Sequence, residues 1–437
     1  MKKITVLIAV LLVLLLSGCM QTIEEMYQLP KRSDIYSDLQ SSIDSAMSGL
    51  SYCAPLTGEN QQTVQMADLD GDGIHEYLLF AKSTQEKPLR ILVFRSVAGE
   101  FVNTETVACN GSAFDQVEYV DMDGDGGMEI IVGRQLSDQV IRSVSVYKLK
   151  NEEMVQLVTA TYNKFLAIDL DGDNCQELFL LRPGPTDTDN GVAELYRMSG
   201  GDMERYNEVP MSCPSDQLKR MIVGKLSGGE SAVFAASAAG ESSLITDVYA
   251  LRDGLLKNIA LSNESGTAVQ TLRNYYVYAD DIDDDGIVEL PNLIVMQPVE
   301  GSTNTDSNHL IRWYAMNMWG KEIDKLYTYH NFVSGWYMQL DNWWAPRLFV
   351  QSQGNQCAFY IWSNDYRKAD LVMTVYAFTA QNRESQASQS GLFVLQKTES
   401  VVYAAQLEAC AGNYGITQES AIYSFRLIQK DWKTGET

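Results

Sequence analysis

The chain has 437 residues, 45% of them hydrophobic, enough for two or three ordinary domains or for one repeat array with a substantial core. Its formal net charge is −24, from 57 acidic and 33 basic residues. This balance excludes nucleic acid as an expected partner, because binding to phosphates requires a basic surface.

The first 18 residues predict a signal peptide. Lys2 and Lys3 form a basic start, and residues 4–16 form an apolar run shorter than the roughly 20 residues of a membrane-spanning helix. The sequence Leu-Ser-Gly before Cys19 resembles the lipobox of bacterial lipoproteins. That resemblance implies that Cys19 is acylated, for instance with palmitate, and that the lipid anchors the mature chain to the bacterial cell membrane on its extracytoplasmic side. An ordinary signal peptide with a chance cysteine is the alternative.

Residues 19–32 are predicted to form a polar tether, and residues 33–50 a short N-terminal helix. Apolar residues of this segment fall at every fourth position: Ile35, Leu39, Ile43 and Met47. This spacing places them on one face of a helix. We expect that face to pack against the first unit of the domain formed by residues 60–437; partner binding is the alternative.

One acidic pattern recurs four times in the rest of the chain. It reads Asp-x-Asp-x-Asp, then Gly or Asn, then two residues and Glu, at residues 68–76, 121–129, 169–177 and 281–289. An apolar run follows each copy, which predicts a buried strand. Four copies at this spacing indicate a structural repeat rather than unrelated acidic turns.

The spacing suits a hard divalent cation, since calcium takes about six to eight oxygen ligands. Side chains at positions 1, 3 and 5 of a tight loop converge, position 7 adds its backbone carbonyl, and Glu at position 9 closes the shell. Gly at position 6 permits the sharp turn. The predicted metal ligands are Asp68, Asp70, Asp72, Ile74 and Glu76 in loop one; Asp121, Asp123, Asp125, Gly127 and Glu129 in loop two; Asp169, Asp171, Asp173, Cys175 and Glu177 in loop three; and Asp281, Asp283, Asp285, Ile287 and Glu289 in loop four.

These loops differ from EF-hand and dockerin loops, which carry a carboxylate at position 12 and continue as a helix. The motif and its strand, over roughly residues 62–380, resemble the FG-GAP/VCBS repeat, the calcium-binding blade unit of integrin-α-like β-propellers. The resemblance implies up to four structural Ca²⁺ ions. It also implies an all-β fold, a β-propeller of six or seven blades built from repeats of about 50 residues.

A second sequence feature, besides the acidic pattern, allows the repeat units to be counted. This second marker is an apolar residue followed by an aromatic one: Val93-Phe94, Val146-Tyr147, Leu195-Tyr196, Val248-Tyr249, Trp313-Tyr314 and Val375-Tyr376. The fourth unit has residues 225–230 in place of an acidic loop, and the sixth, which we expect to begin at residues 336–349, has only Asp341. Neither should bind calcium. Residues 392–432 complete the sixth blade or help to build a seventh.

Catalytic motifs are not evident. His75, His309 and His330 lie outside any HExxH or Gly-x-Ser-x-Gly context. Six of the seven tryptophans fall between Trp313 and Trp362, and the favoured interpretation is packing within and between blades. The alternative is an aromatic platform for sugar rings.

The sequence therefore predicts a non-catalytic, calcium-binding extracytoplasmic lipoprotein. Its propeller would present one face, or the polar insertions at residues 183–191, 300–308 and 381–389, to a protein or glycan ligand. The alternative is a propeller-type carbohydrate-active enzyme, a lyase or glycosidase. That enzyme would need two carboxylates outside the loops, about 5–10 Å apart and near the aromatic residues.

Replacing the predicted acylation site should release the chain from the membrane. Cys19→Ala removes the thiol, so we expect metabolic labelling with a fatty-acid analogue to disappear. Undiminished labelling of the variant would contradict the lipid anchor.

Overall fold

The computed structural model describes residues 34–136, 141–186, 188–262, 264–274, 277–297, 309–364 and 366–428. The predicted signal peptide, Cys19, the tether and the insertion at residues 300–308 lie outside this range. The described residues up to Tyr119, with those of 132–140 and 147–155, form one compact unit, and the remaining residues form a second. Within the described residues, no helix has the length and apolarity needed to cross a membrane.

The strands of the described residues fall into six sheets, each built mainly from consecutive segments of the chain. Sheet one contains β1 (Ser51–Tyr52), β2 (Val64–Ala67), β3 (Glu76–Lys82), β4 (Leu89–Val97) and β5 (Glu100–Cys109). Sheet two contains β6 (Ala113–Val120), β7 (Glu129–Gln135), β8 (Arg142–Lys150) and β9 (Glu153–Tyr162). Sheet three contains β10 (Lys164–Ile168), β11 (Glu177–Arg182), β12 (Val192–Ser199) and β13 (Asp202–Pro210).

The remaining sheets follow in the same way. Sheet four contains β14 (Leu218–Lys225), β15 (Ser231–Ala238), β16 (Leu244–Arg252) and β17 (Leu255–Asn258). Sheet five contains β18 (Glu289–Val295), β19 (His309–Met316), β20 (Glu322–Asn331) and β21 (Trp336–Leu340). Sheet six contains β22 (Leu348–Gln353), β23 (Gln356–Trp362), β24 (Ala369–Phe378), β25 (Phe393–Lys397) and β26 (Val402–Leu407). A last strand, β27 (Phe425–Leu427), pairs with β21 and adds a fifth strand to sheet five.

The position of each strand within its sheet follows from its apolar pattern. The strands directly after the acidic loops, such as β3 and β11, are buried along nearly their whole length, as continuous apolar runs predict. Outer strands such as β5 alternate in exposure, because one face meets solvent. The first residue of each marker pair is fully buried. It lies on β4, β8, β12, β16 and β24 of sheets one to four and six, and on β19 of sheet five.

Consecutive sheets of the second unit pack face to face. Phe179 of sheet three contacts Tyr249 of sheet four at a ring-centroid distance of 5.3 Å. Trp336 of sheet five packs in the same way near Phe359 of sheet six, at 6.2 Å. Large buried aromatic rings therefore fill the space between neighbouring sheets.

The predicted fold class is confirmed: the part of the chain that the structure describes is all-β, forms six blade-type sheets as in β-propellers, and has a short N-terminal helix. The described residues contain no seventh sheet, because β25 and β26 complete sheet six and β27 joins sheet five. The sixth unit starts inside the expected range of residues 336–349, near its end. Residues 336–340 form β21, which returns along β20 through a tight hairpin, so sheet six begins at Leu348.

Within the described residues the sheets are accompanied by the α-helices α1 (Asp34–Ala46), α2 (Arg383–Ala387) and α3 (Gln418–Ser424). The apolar face of α1 packs against sheet one, where Leu39 and Ile43 join a buried cluster with Leu79 and Phe94. The backbone amide of Phe101 donates to Asp38 Oδ2 at 2.9 Å. These contacts support packing of the helix on the first unit rather than its use as a free binding helix.

Truncating the buried face of α1 should destabilise the chain. Ile43 is 4% exposed, so Ile43→Ala should lower the free energy of unfolding by about 2–4 kcal/mol, measured by urea denaturation. Ser41→Ala, on the exposed face of the same helix, is the control and should change it by less than about 0.5 kcal/mol. Equal effects of the two substitutions would contradict the packing role.

Candidate metal centres

The acidic loops bring carboxylates together in all four places where the sequence predicts it. In loops one to three, positions 1, 3 and 9 each offer an oxygen, and these oxygens lie within 4.8 Å of one another. In loop four, positions 1, 3 and 5 do so. The groups are Asp68, Asp70 and Glu76; Asp121, Asp123 and Glu129; Asp169, Asp171 and Glu177; and Asp281, Asp283 and Asp285. The predicted ligands Asp72, Asp125, Asp173 and Glu289 lie outside these tight groups.

Position 1 closes the loop through its side chain. Asp68 Oδ1 accepts a hydrogen bond from the Gly71 amide at 2.8 Å, and its Oδ2 accepts one from the Gly73 amide at 2.9 Å. The first aspartates of the other loops accept equivalent pairs of backbone bonds. Gly73 adopts a φ of 84°, the left-handed region that position 6 was predicted to require.

Position 5 orients the peptide at position 7. Asp72 Oδ1 accepts from the Ile74 amide at 2.7 Å, and Asp173 Oδ1 accepts from the Cys175 amide at 2.8 Å. The same bond joins position 5 to Gly127 in loop two and to Ile287 in loop four. The Cys175 thiol is not part of the converging group of loop three. These local bonds account for the conserved spacing between positions 5 and 7 without involving the position-7 side chain.

Position 9 is the buried end of each loop. Glu76, Glu129, Glu177 and Glu289 are at most 3% exposed, although each carries a carboxylate. One oxygen, Oε2, accepts a hydrogen bond from the backbone amide at position 2, at 2.7–3.1 Å in the four loops. The glutamate therefore ties the first turn of the loop to the beginning of the following strand.

Burial and crowding shift the titration of these glutamates. Desolvation raises the pKa of Glu177 to about 7 and that of Glu289 to about 8. The backbone hydrogen bond at position 2 opposes the shift, while the neighbouring aspartates add to it. Burial likewise raises the pKa of Glu76. The ionised form of position 9 is thus unfavourable unless a cation lies nearby.

Basic side chains that the sequence analysis missed lie against three of the loops. Arg95 contacts Asp70 and lies 3.4 Å from Glu76 Oε1. Arg197 contacts Asp171 at 2.7 Å and lies 3.3 Å from Glu177 Oε1. A sequence signal for both existed, because each directly follows the aromatic residue of the second marker.

Lys325 plays the corresponding part in loop four. It contacts Asp285 and lies 3.7 Å from Glu289 Oε1. The pairing of β19 with β20 shifts between Trp313 and Tyr314, which leaves Lys325 as the extra residue of a β-bulge. Bulges re-aim side chains, and here the bulge coincides with the lysine that reaches the acidic loop.

The donor set fits a hard divalent cation. All the converging atoms are carboxylate oxygens, the ligands that calcium prefers. Glu289 Oε1 is buried and accepts no hydrogen bond. A buried carboxylate oxygen without a hydrogen bond is costly, and a cation in loop four would stabilise it.

The fourth unit shows how the same turn forms without the aspartates of the acidic pattern. Its loop at residues 225–230 is held by backbone hydrogen bonds: Val288 donates to the Lys225 carbonyl at 3.0 Å, and Leu226 donates to the Glu230 carbonyl at 2.8 Å. Neither this loop nor Asp341 contributes to a converging acidic group among the described residues.

The tryptophans between positions 313 and 362 divide into two groups. Trp313, Trp336, Trp344 and Trp362 are at most 7% exposed, which confirms packing for these four. Trp319 is 71% exposed and Trp343 50% exposed. Trp343 stacks on Tyr414 at a ring-centroid distance of 6.1 Å. The surface therefore carries at least two exposed indoles, one of which stacks on a tyrosine.

Carboxylates near these aromatic residues are engaged by arginine. Glu322 lies 2.8 Å from Arg312 Nη2, and Asp324 contacts the same guanidinium. Both carboxylates are therefore ion-paired with one arginine.

Fold and loops together define an all-β protein of blade-type repeats with four acidic, cation-compatible centres. No protein-family model and no curated protein matches the chain. Solved structures similar to it include a protein from Lactobacillus plantarum (11% identity, 73% of this chain and 86% of that one, TM-score 0.27). The rhamnogalacturonan lyase YesW (11% identity, 74% and 72% coverage, TM-score 0.29) and a Bacillus licheniformis rhamnogalacturonan lyase (13% identity, 74% and 72% coverage, TM-score 0.29) are also similar.

The raised pKa values predict how stability depends on pH without divalent ions. Between the usual glutamate value of 4.5 and the folded values of about 7 and about 8, the folded chain binds more protons than the unfolded chain. Its stability should therefore fall as the pH rises from 5 to 8, by at most about 1.4 kcal/mol per pH unit and group. Thermal melts in EDTA would measure this slope.

Glu289→Gln should flatten that slope, because the amide does not titrate. Glu204→Gln on the exposed face of β13 is the control and should leave the slope unchanged. A slope of the same size in both variants would mean that the loop glutamates do not cause it.

Proposed function

We propose that the chain is a calcium-binding surface lipoprotein of the FG-GAP/VCBS type, in which up to four Ca²⁺ ions stiffen a non-catalytic β-propeller scaffold. The observation that carries this proposal is the buried glutamate at position 9, which faces two aspartates in three loops. In loop four the free oxygen of that glutamate accepts no hydrogen bond.

The role of the ion follows from where its ligands lie. Asp68 and Asp70 belong to the turn between β2 and β3, whereas Glu76 is the first residue of β3. An ion bound to all three would cross-link the turn to an interior strand and relieve the repulsion between their carboxylates. The same argument applies to loops two and three. Calcium would thus act on stability rather than on chemistry.

The expected free energy is large on the scale of folding. Extracellular calcium modules commonly have dissociation constants of about 0.1–1 mM. At about 1 mM calcium and the tighter value, each site would add roughly 1.4 kcal/mol, so four would add about 5–6 kcal/mol. A typical domain has a stability of about 5–15 kcal/mol.

Ligand binding on the exposed surface is proposed instead of catalysis. The carboxylates Glu322 and Asp324 beside the aromatic residues are ion-paired with Arg312, which argues against the lyase or glycosidase alternative. Trp319 and Trp343 expose much of their indole rings and are suited to contact a protein or a glycan. A lipid on Cys19 would hold this surface outside the cytoplasm, where calcium is abundant.

Calcium should stabilise the wild-type chain against heat. We expect the melting temperature of the full-length protein in mild detergent to rise by several degrees when EDTA is replaced by 1 mM calcium. Asp123→Ala removes a ligand from loop two and should reduce this rise by about a quarter, because one of four sites is lost.

Asp253→Asn provides the matched control. Asp253 lies outside the loops, in a hairpin with a φ of 53° that asparagine also adopts, and its replacement removes the same charge. Its calcium-dependent rise should equal that of the wild type. If the melting temperature of the wild type does not rise and the purified protein contains no calcium, the proposed calcium binding is wrong.

A further inference from the structure

We propose that Arg95, Arg197 and Lys325 are built-in counter-cations of loops one, three and four, and that calcium binds by displacing them from the carboxylates. This inference rests on the proposed calcium binding and adds a competing cation to it. Each loop would then exchange one resident positive charge for a divalent ion.

The first argument is which oxygens the arginines contact. In loop one, Glu76 Oε2 is committed to the Leu69 amide, and Asp70 Oδ1 accepts from the Asp72 amide at 3.3 Å. Of these two residues, the oxygens that accept no backbone hydrogen bond are Glu76 Oε1 and Asp70 Oδ2. Arg95 lies against both of these oxygens. The guanidinium therefore competes for the atoms that calcium needs.

Loop three repeats this arrangement atom for atom. Glu177 Oε2 accepts from the Leu170 amide at 2.9 Å, and Asp171 Oδ1 accepts from the Asp173 amide at 3.3 Å. Arg197 contacts Asp171 Oδ2 through Nη2 and lies nearest Glu177 Oε1 through Nε. Two independent copies of one geometry argue against a chance surface ion pair.

Loop four reaches the same result from a different strand. Glu289 Oε2 accepts from the Ile282 amide and Asp285 Oδ1 from the Ile287 amide, so Oε1 and Oδ2 remain. Lys325 of β20 lies against these two oxygens. Loop four therefore also has a basic side chain beside its carboxylates, although this side chain comes from a different strand of the sheet.

The second argument is the distribution of basic residues within the chain. Three units have an acidic loop but no lysine at the bulge of their strand pairing. In each of them a basic residue follows the aromatic residue of the marker pair: Arg95, Lys148 and Arg197. In the two units without an acidic loop, the residue at this position is Ala250 or Ala377. The fifth unit has Ala315 and relies on Lys325. At these positions a basic residue thus occurs in the units that have an acidic loop, and it is missing from the units that share the blade-type sheet but lack the loop.

The exchange has a physical consequence in each state. Without calcium, the arginine neutralises part of the carboxylate charge and keeps the loop folded. With calcium, the arginine must leave, which lowers the affinity of the site and raises the calcium concentration at which it fills. Arg197 has a resting place after release, because its guanidinium already lies 4.5 Å from the Tyr206 ring centroid.

Arg197→Met and Arg95→Met test this competition, since methionine keeps an apolar stem and removes the charge. Calcium titration of the full-length protein in detergent, with a chromophoric chelator as competitor, should show one site about 3- to 10-fold tighter in each variant. The melting temperature in EDTA should fall by a few degrees. A purely structural ion pair would lower stability without tightening calcium binding.

Arg252→Met is the matched control, because Arg252 lies over an aromatic ring, Trp319, on a strand whose unit has no acidic loop. Its calcium affinity should equal that of the wild type. Arg197→Lys keeps the charge and should give an affinity between those of the wild type and Arg197→Met, which retains a test if a methionine variant fails to fold.

The outcomes separate the two proposals. Wild-type calcium binding with unchanged or weaker binding in the arginine variants would overturn the counter-cation proposal alone. No calcium binding in the wild type or in any variant would overturn it together with the proposed function.

Discussion

Four carboxylates crowd the turn before a buried strand in each acidic loop, and their mutual repulsion is the constraint on which the surrounding structure depends. Backbone amides offset part of this repulsion. The aspartate at position 1 accepts two amide hydrogen bonds, and the buried glutamate accepts one. In three loops, the positive charge of a basic side chain offsets another part of the repulsion. The remaining charge, above all on the glutamate whose pKa burial raises, favours a divalent cation at the centre.

The fourth unit shows that the fold itself does not require this charge. Its turn closes through backbone hydrogen bonds, and Gly224 lies so near Val288 that a side chain at position 224 would overlap it. Where backbone contacts hold the loop, both the aspartates and the basic residue are absent. In this chain the acidic loop and the basic residue therefore occur together, on a scaffold whose sheets pack through apolar residues in units with and without them.

The scaffold and the surface use aromatic residues for different purposes. Rings such as Trp336 and Phe359 fill the space between sheets and cannot meet a ligand. Trp319 and Trp343 are exposed at turns, where they cost little to the core and are available for contacts. A rigid array of sheets with a few exposed indoles is suited to presenting a binding surface, and loops stiffened by ions would limit its motion.

The sequence by itself determined the repeat, the helix stripe and the acidic loops, because these depend on the order and spacing of residue types along the chain, and it left the number of blades at six or seven. Three things were decided only by tertiary structure. Residues 336–340 belong to sheet five through their pairing with β20, which their composition does not encode. The glutamates acquired shifted pKa values because burial depends on neighbouring strands. Arg95 and Lys325 met their loops from 25 and 40 residues away, across a sheet that no local pattern specifies.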